Sequence, residues 1–317
     1  MKLLTAITAI DKLGGSYQFR TQLYYTGKVE DHTLTGDLYC VGGFDPRFNI
    51  DDMNAFVESI RCMGVDTIRG SIVADRSMKD ADLLGEGWCW DDDNPPLSPL
   101  TIGRNTQFVD RFIRQLVDDG VVLDVRISDG TLPDSAFHLC SRFHSIDQIL
   151  LRMMKQSDNF YAEAMFYQLA AHQGHRPARA KDAAAIVKRL ISKVGLGHRP
   201  YRIADGSGLS LYNYLSADLE VRLLRYAYRN STVYLHLLPS LPVAGSDGTL
   251  RNRMRGSFAA DNVKAKTGTL EGVSALAGYC TAANDHRLCF SIINQGVMHT
   301  SNARRFQDRV CNALCAP

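Results

Sequence analysis

The stretch VKAKTGTLEGVSALAGY, residues 263–279, carries Lys266-Thr267-Gly268-Thr269 within residues that favour β-strands. It opens a series of three strand patterns, over 263–270, 274–281 and 288–294. Short turns separate these patterns, which predicts an antiparallel meander. Taken alone, a glycine inside such a strand indicates only that another group approaches the backbone closely.

The pattern of apolar residues changes along the rest of the chain. Residues 3–14 have helical spacing, and short strand runs with glycine-rich turns extend from Tyr17 to about Ser77. An irregular loop region (85–105) and a helical pattern (106–120) follow. Helical patterns dominate from about residue 142 until the meander begins. We therefore expect an α/β fold, in which a discontinuous helix-and-antiparallel-sheet domain (1–20 and 142–317) carries a β-rich inserted domain (21–141).

The composition excludes several classes of protein. Of the 317 residues, 45% are apolar, which supplies a packed core and excludes a disordered chain. A balance of 36 basic against 34 acidic residues gives no expectation of a nucleic-acid partner. No apolar run reaches the length of about 18 residues that a transmembrane helix requires, so we expect no transmembrane segment. Residues 3–14 are interpreted as a core helix rather than a signal peptide, because no small-residue cleavage site follows.

The sequence contains no recognisable metal or cofactor motif. The eight cysteines include no Cys-x-x-Cys pair, and both His-Glu-x-x-His and the nucleotide-binding glycine loops are absent. We therefore expect neither a metal nor a cofactor. Cys280 and Cys289 flank a predicted turn, and a disulfide between them remains open at this stage.

A second short motif, Ser157-Asp158-Asn159, lies between two helical patterns. All three residue types favour the position that caps a helix, so a cap explains the motif by itself. The order of the two motifs is more specific, because Ser-x-Asn precedes Lys-Thr-Gly by about a hundred residues. These motifs occur together with Ser-x-x-Lys in β-lactamases and penicillin-binding proteins.

Further segments extend this match along most of the chain. They are LTGDLYCVGGFDPRF (34–48), IRGSIVADRS (68–77), GEGWCWDDD (85–93), MMKQSDNFYAEAMF (153–166), IADGSGLSLYN (203–213) and AGSDGTLRNR (244–253). With them, the sequence resembles the class C penicillin-binding proteins, which are serine-type D-Ala-D-Ala carboxypeptidases with endopeptidase activity. The resemblance implies a β-lactamase/transpeptidase-like fold. It also implies hydrolysis of the D-Ala-D-Ala end of peptidoglycan stem peptides through an acyl-enzyme.

The resemblance implies a catalytic role for four residues. Lys2 corresponds to the Lys of Ser-x-x-Lys, which helps to remove the proton of the nucleophilic Ser. Ser157 would relay a proton to the leaving amine, and Asn159 would hydrogen-bond the substrate amide. Lys266 would place a second positive charge beside the site and orient the terminal carboxylate of the substrate. We expect these four side chains to converge on one cleft.

The Lys-Thr-Gly strand implies three contacts with substrate. Thr267 would bind the terminal carboxylate, and Gly268 would let the peptide lie along the strand. The backbone N–H of Thr269 would supply half of the oxyanion hole.

The nucleophilic Ser is expected three residues before Lys2, which places it ahead of Met1. We therefore expect a chain truncated within its Ser-x-x-Lys motif, with a signal peptide upstream and a periplasmic or extracytoplasmic location. The expected partners are peptidoglycan stem peptides ending in D-Ala-D-Ala and β-lactam antibiotics. Two alternatives stay open: a catalytically inactive fragment without its nucleophile, and a β-lactamase or esterase of the same fold.

Overall fold

The computed structural model describes residues 1–92 and 94–317, so Asp93, the last residue of the segment 85–93, lies outside the described residues. Its helices are α1 (Lys2–Leu13), α2 (Ile50–Cys62), α3 (Phe108–Asp118), α4 (Ile146–Lys155), α5 (Asn159–His172), α6 (Ala180–Lys193), α7 (Ala217–Arg229), α8 (Ser231–Ser240) and α9 (Thr300–Cys315). Its strands are β1 (Gln18–Tyr25), β2 (Lys28–Glu30), β3 (Thr33–Thr35), β4 (Leu38–Gly42), β5 (Thr67–Asp75), β6 (Val122–Asp129), β7 (Phe137–Ser145), β8 (Lys264–Leu270), β9 (Val273–Thr281) and β10 (Arg287–Gln295).

A mixed sheet forms from the strands between Gln18 and Ser145, in the order β2-β3-β5-β4-β1-β7, with β6 paired to β5. Strand β5 pairs in parallel with β3, β4 and β6, whereas β1 pairs antiparallel with β4 and β7. Helices α2 and α3 cover this sheet, and their phenylalanines build a core of their own. A capping box between Asn49 and Asp52 begins α2 and satisfies backbone N–H groups that would otherwise lack acceptors.

A second sheet is the antiparallel meander β10-β9-β8. Leu276 and Cys280 face α9, whereas Ala277 and Tyr279 alternate onto the opposite face and pack against the helices. Residues 242–244 hydrogen-bond the first part of β8, through Ala265 N to the Pro242 carbonyl oxygen. The edge of β8 from Lys266 onward is therefore free to accept another extended chain.

Helices α1 and α5 lie at the centre of a helical layer whose other members are α4, α6, α7 and α8. Helix α1 is buried from Lys2 to Ile10, and α5 is buried on all sides from residue 160 to residue 170. A helix that is apolar all round belongs in the interior, and α5 accordingly contacts α1, α4 and α6. The predicted capping box at Ser145 and Gln148 is present and begins α4.

Several elements differ from the sequence-based expectations. The sequence patterns did not delimit β6, β7 or α8, because the two strands are largely exposed and α8 has a weak helical pattern that contains Pro239. All eight cysteines are free thiols. Cys289 pairs with Tyr279 in the meander rather than with Cys280, so the two cysteines project from opposite faces. This register does not allow a disulfide between them.

The described residues form separate apolar cores, one in the mixed sheet and one among the helices, with a smaller core between the meander and α9. The division into a discontinuous catalytic domain and an inserted domain at 21–141 stays a prediction. Among the described residues, no helix combines the length and the apolar character needed to span a bilayer.

Candidate active site

Lys2 lies in the first turn of α1 with its side chain buried. Its Nζ donates to Asn159 Oδ1 at 2.5 Å and to the Ser207 carbonyl oxygen at 2.9 Å. Burial lowers the pKa of Lys2 from 10.5 to about 8, because desolvation disfavours the charged ammonium, while the carboxylates of Asp205 and Glu163 oppose this shift. Lys2 can therefore exchange a proton near neutral pH, as a general base must.

Ser157 and Asn159 lie on either side of the N-cap residue of α5. That residue, Asp158, accepts hydrogen bonds from two backbone N–H groups of the first turn and so acts as the cap that its residue type favours. Its second carboxylate oxygen pairs with Arg152 at 2.9 Å and with Arg104 at 3.2 Å. Ser157 itself has a φ of +59°, an uncommon backbone conformation for a residue with a side chain. The fixed cap thus orients the hydroxyl and the amide on its two sides.

Lys266 of β8 completes the cluster. Its Nζ donates to Ser157 Oγ at 2.8 Å and to the Thr267 carbonyl oxygen at 2.8 Å. Desolvation, and then the charge of Lys2, hold the pKa of Lys266 well below its usual value. The structure therefore brings together the four side chains that the motifs singled out, although the sequence separates them widely.

The three residues that follow Lys266 line the free edge of β8. The hydroxyl of Thr267 donates to that of Thr249 at 2.9 Å, while Gly268 and Thr269 are exposed. A methyl group built on Gly268 would lie 3.4 Å from the Ala275 side chain on β9, an ordinary van der Waals contact, so the strand itself would accommodate a small side chain here. Thr249 belongs to the matched segment 244–253, but only its spatial contact with Thr267 identifies it as a site residue.

A loop built around Asp205 borders the site. The buried Asp205 carboxylate accepts hydrogen bonds from Trp88 Nε1 at 2.9 Å, Gly208 N at 2.7 Å, Ser210 N at 2.7 Å and Asn213 Nδ2 at 2.9 Å. These bonds fold the segment around one carboxylate and fix the position of the carbonyl to which Lys2 donates. The indole of Trp88 connects this loop to a part of the chain more than a hundred residues away.

Glu163 of α5 also forms hydrogen bonds with the loop around Asp205. Its carboxylate accepts hydrogen bonds from Ser207 N at 2.7 Å and from Gly206 N at 3.0 Å. A side chain at Gly206 would collide with Phe166, so the glycine permits this close approach. Burial, and then the charge of Asp205, raise the pKa of Glu163 to about 8. Sequence reasoning missed Glu163 because no motif includes it.

The cluster combines two buried amines, a hydroxyl that accepts a hydrogen bond from one of them, and an open strand edge. Such a set can move a proton between a bound substrate and the amines, and it can hold an extended peptide. No serine stands three residues before any lysine in this sequence. The described residues contain no group of His, Cys, Asp and Glu side chains arranged to hold a metal ion.

Comparison with known proteins gives consistent matches over nearly the whole chain. The profile of the D-Ala-D-Ala carboxypeptidase 3 (S13) family matches residues 1–111 and 104–314. A D-alanyl-D-alanine carboxypeptidase from Actinomadura sp. (strain R39) is 28% identical over 395 aligned positions, which cover 93% of this chain and 72% of the relative.

Solved structures share the fold. Penicillin binding protein 4 from Haemophilus influenzae superposes with a TM-score of 0.90 at 24% identity, covering 100% of this chain and 90% of that one. The same protein in complex with a β-lactam gives a TM-score of 0.86 at 23% identity with the same coverage. Bd3459, a predatory peptidoglycan endopeptidase from Bdellovibrio bacteriovorus, gives 0.63 at 16% identity, covering 99% of this chain and 84% of that one. The expected fold class is confirmed.

Proposed function

Because the chain belongs to the D-Ala-D-Ala carboxypeptidase 3 (S13) family, we propose that its cleft binds and hydrolyses peptidoglycan stem peptides that end in D-Ala-D-Ala. The family identifies it as a class C penicillin-binding protein and a serine-type hydrolase. The observation that carries the residue assignment is the 2.8 Å contact between Lys266 Nζ and Ser157 Oγ, beside the Lys2–Asn159 hydrogen bond.

The proposed reaction proceeds in two steps. A Ser three residues before Lys2, ahead of Met1, attacks the carbonyl of the D-Ala-D-Ala bond, and Lys2 takes its proton. Ser157 then donates a proton to the leaving D-Ala amine and regains one from Lys266. Water hydrolyses the acyl-enzyme with the proton transfers reversed. The pKa of about 8 for Lys2 fits a group that must be neutral for part of the cycle.

The free edge of β8 binds the substrate in this proposal. The peptide lies antiparallel along residues 266–270, with Thr269 N–H donating to the developing oxyanion. Thr267 binds the terminal carboxylate, and its neighbour Thr249 adds a second hydroxyl at 2.9 Å. Asn159 remains within reach of the substrate amide, since only Lys2 bonds its side-chain oxygen.

We also propose that β-lactams acylate the same Ser and that the enzyme works outside the cytoplasmic membrane, where its substrate lies. The β-lactam complex of the Haemophilus protein supports the first part. Cleavage of D-Ala cross-links is the second candidate activity, which the fold shared with the Bdellovibrio endopeptidase favours.

Two extended chains test the assignment of the nucleophile. One carries an N-terminal extension that ends in Ser-x before Met1, and its matched control carries Ala-x instead. We expect only the Ser chain to release D-Ala from a D-Ala-D-Ala peptide and to gain the mass of penicillin G. The chain as numbered should resemble the Ala control, in agreement with the alternative of a catalytically inactive fragment.

Two results would contradict this proposal. Turnover of about 1 s⁻¹ or more by the unextended chain, abolished by Ser157→Ala, would make Ser157 the nucleophile. Faster hydrolysis of penicillin G than of the peptide by the Ser chain would instead support a β-lactamase of the same fold.

A further inference from the structure

A cavity of about 640 Å³ opens between α7, α8 and the beginning of the meander. Its lining includes Lys264, which lies two residues before Lys266 on β8 and on the same face of the sheet. None of the catalytic or proposed substrate-binding residues lines it. It is therefore a separate feature, for which the proposed hydrolysis supplies no role.

Positive charge is concentrated in this cavity. Arg225 and Arg229 of α7 face Lys264 and Arg287 of the meander across it, and Asp261 is its one carboxylate. Asp261 Oδ1 already accepts a hydrogen bond at 2.5 Å from a serine outside the cavity. The whole chain carries a net charge of only +2, so these four cations stand out from its balanced surface. We call the cavity with these four residues the basic pocket.

The cations of the basic pocket lack partners within the described residues. None of them forms an ion pair or a side-chain hydrogen bond there, whereas Arg222 on the same helix pairs with Asp218 at 3.0 Å. Arg225 and Arg229 are four residues apart, and like charges at this spacing destabilise a helix. Their place near the C-terminal end of α7 offsets part of this repulsion through the helix dipole. The dipole of α7 does not explain why Lys264 and Arg287 place two further positive charges on the opposite wall.

Aromatic rings form the remaining wall of the basic pocket. Tyr234 makes edge-to-face contacts with Tyr228 and Tyr279 at centroid distances of 5.1 Å and 5.4 Å. The Tyr279 hydroxyl donates to the Leu224 carbonyl oxygen, which fixes that ring against α7. The Tyr279 ring is thereby held against α7, while Arg225, Arg229 and Arg287 are exposed and accessible to a ligand.

We infer that the basic pocket binds a small polyanion, a molecule carrying two or more phosphate or carboxylate groups. Each guanidinium presents a planar fork of donors that matches either group with two parallel hydrogen bonds. Cations on facing walls let one ligand contact the helix and the sheet together. This site does not depend on the nucleophile, so its binding can be measured whether or not the proposed hydrolysis occurs.

Isothermal titration calorimetry at low salt tests this inference, with inorganic pyrophosphate and citrate as separate probes. We expect saturable binding with one site per chain. Arg225→Gln/Arg229→Gln should weaken it about tenfold or more, since each removes a charge-assisted contact. Arg222→Gln, on the same helix but outside the basic pocket, is the matched control and should change the affinity less than about twofold. The probe that binds more tightly assigns the anionic group.

Absence of saturable binding for both probes would overturn the inference, as would equal affinities for the double variant and the wild type. Circular dichroism establishes that each variant is folded. If the double variant does not fold, Lys264→Gln on the sheet wall takes its place, with the same expected loss.

Discussion

The two buried lysines illustrate how the environment of a residue determines its chemistry. Burial lowers the pKa of both amines, and the carboxylates of Asp205 and Glu163 partly restore that of Lys2. A lysine in water has a pKa near 10.4 and would be almost fully protonated at neutral pH. Lys2, with a pKa of about 8, is neutral in a useful fraction of molecules.

This pKa predicts the pH dependence of acylation by the Ser-extended chain. The neutral fraction of Lys2 increases with pH, so the rate of penicillin G acylation should rise about tenfold per pH unit below 8 and level off above it. Stopped-flow measurement at constant ionic strength checks the profile. Lys2→Arg, which keeps the charge and cannot lose its proton, should abolish the reaction. A rate that is constant over this range would show that Lys2 is not the base.

Glu163 gives a second prediction, for stability. Its folded pKa of about 8 exceeds its ordinary value of 4.5, so between these values the folded state holds a proton that the unfolded state has released. Stability therefore falls as the pH rises through this window. Glu163→Gln removes this slope, and the variant should gain stability relative to the wild type, by at most about 5 kcal/mol at 1.36 kcal/mol per pH unit. Urea unfolding at several pH values tests this, and parallel curves for the two proteins would contradict it.

At the scale of elements, the start of α5 positions two of the proposed catalytic side chains at once. Asp158 caps the helix and binds two arginines, while its neighbours on both sides enter the site. Asp158→Ala should destabilise the protein by about 1–2 kcal/mol. In the Ser-extended chain it should also slow acylation, because Ser157 and Asn159 lose their fixed orientation.

The matched variant Asp158→Asn retains the cap and loses only the negative charge. Asparagine caps helices about as well as aspartate, so most of the stability should remain. Urea unfolding and penicillin acylation of both variants separate the two contributions of Asp158. Equal losses in the two variants would assign the effect to the arginine pairs rather than to the cap.

The sequence predicted the elements whose patterns are strong, including the meander, α1, α5 and the capping box of α4. It also singled out four residues whose side chains the structure brings together, because the family motifs keep these residue types at recognisable spacings. The sequence did not indicate a role for Glu163 or Thr249, since their roles depend on contacts that form only when the chain folds. The close approach of Gly206 to Phe166, for example, brings the loop to Glu163, and no local pattern records that approach.

At the scale of the whole molecule, Trp88 joins two distant parts of the chain. Its indole N–H donates to Asp205, the centre of the loop whose carbonyl binds Lys2. Trp88→Phe retains an aromatic side chain but removes the indole N–H donor. This change should lower the free energy of unfolding by about 2 kcal/mol, since the acceptor is a buried carboxylate. It should also slow acylation by the Ser-extended chain.

The control for this change lies two residues away. Trp90 is 90% exposed, so Trp90→Phe should alter neither the unfolding transition nor the rate. If Trp88→Phe behaves like this control in both measurements, the indole does not support the loop.

Because some of the free thiols are exposed and others are buried, their rates of chemical labelling report local opening of the fold. Cys62 and Cys89 are exposed, whereas burial raises the pKa of Cys40, Cys280 and Cys311 and keeps these thiols from reacting as thiolates. An alkylating reagent should therefore add two labels quickly to each native molecule. The half-buried Cys140 and Cys289 should react more slowly, and the buried thiols only as the surrounding elements open, so a mass spectrum recorded over time would reveal which region opens first.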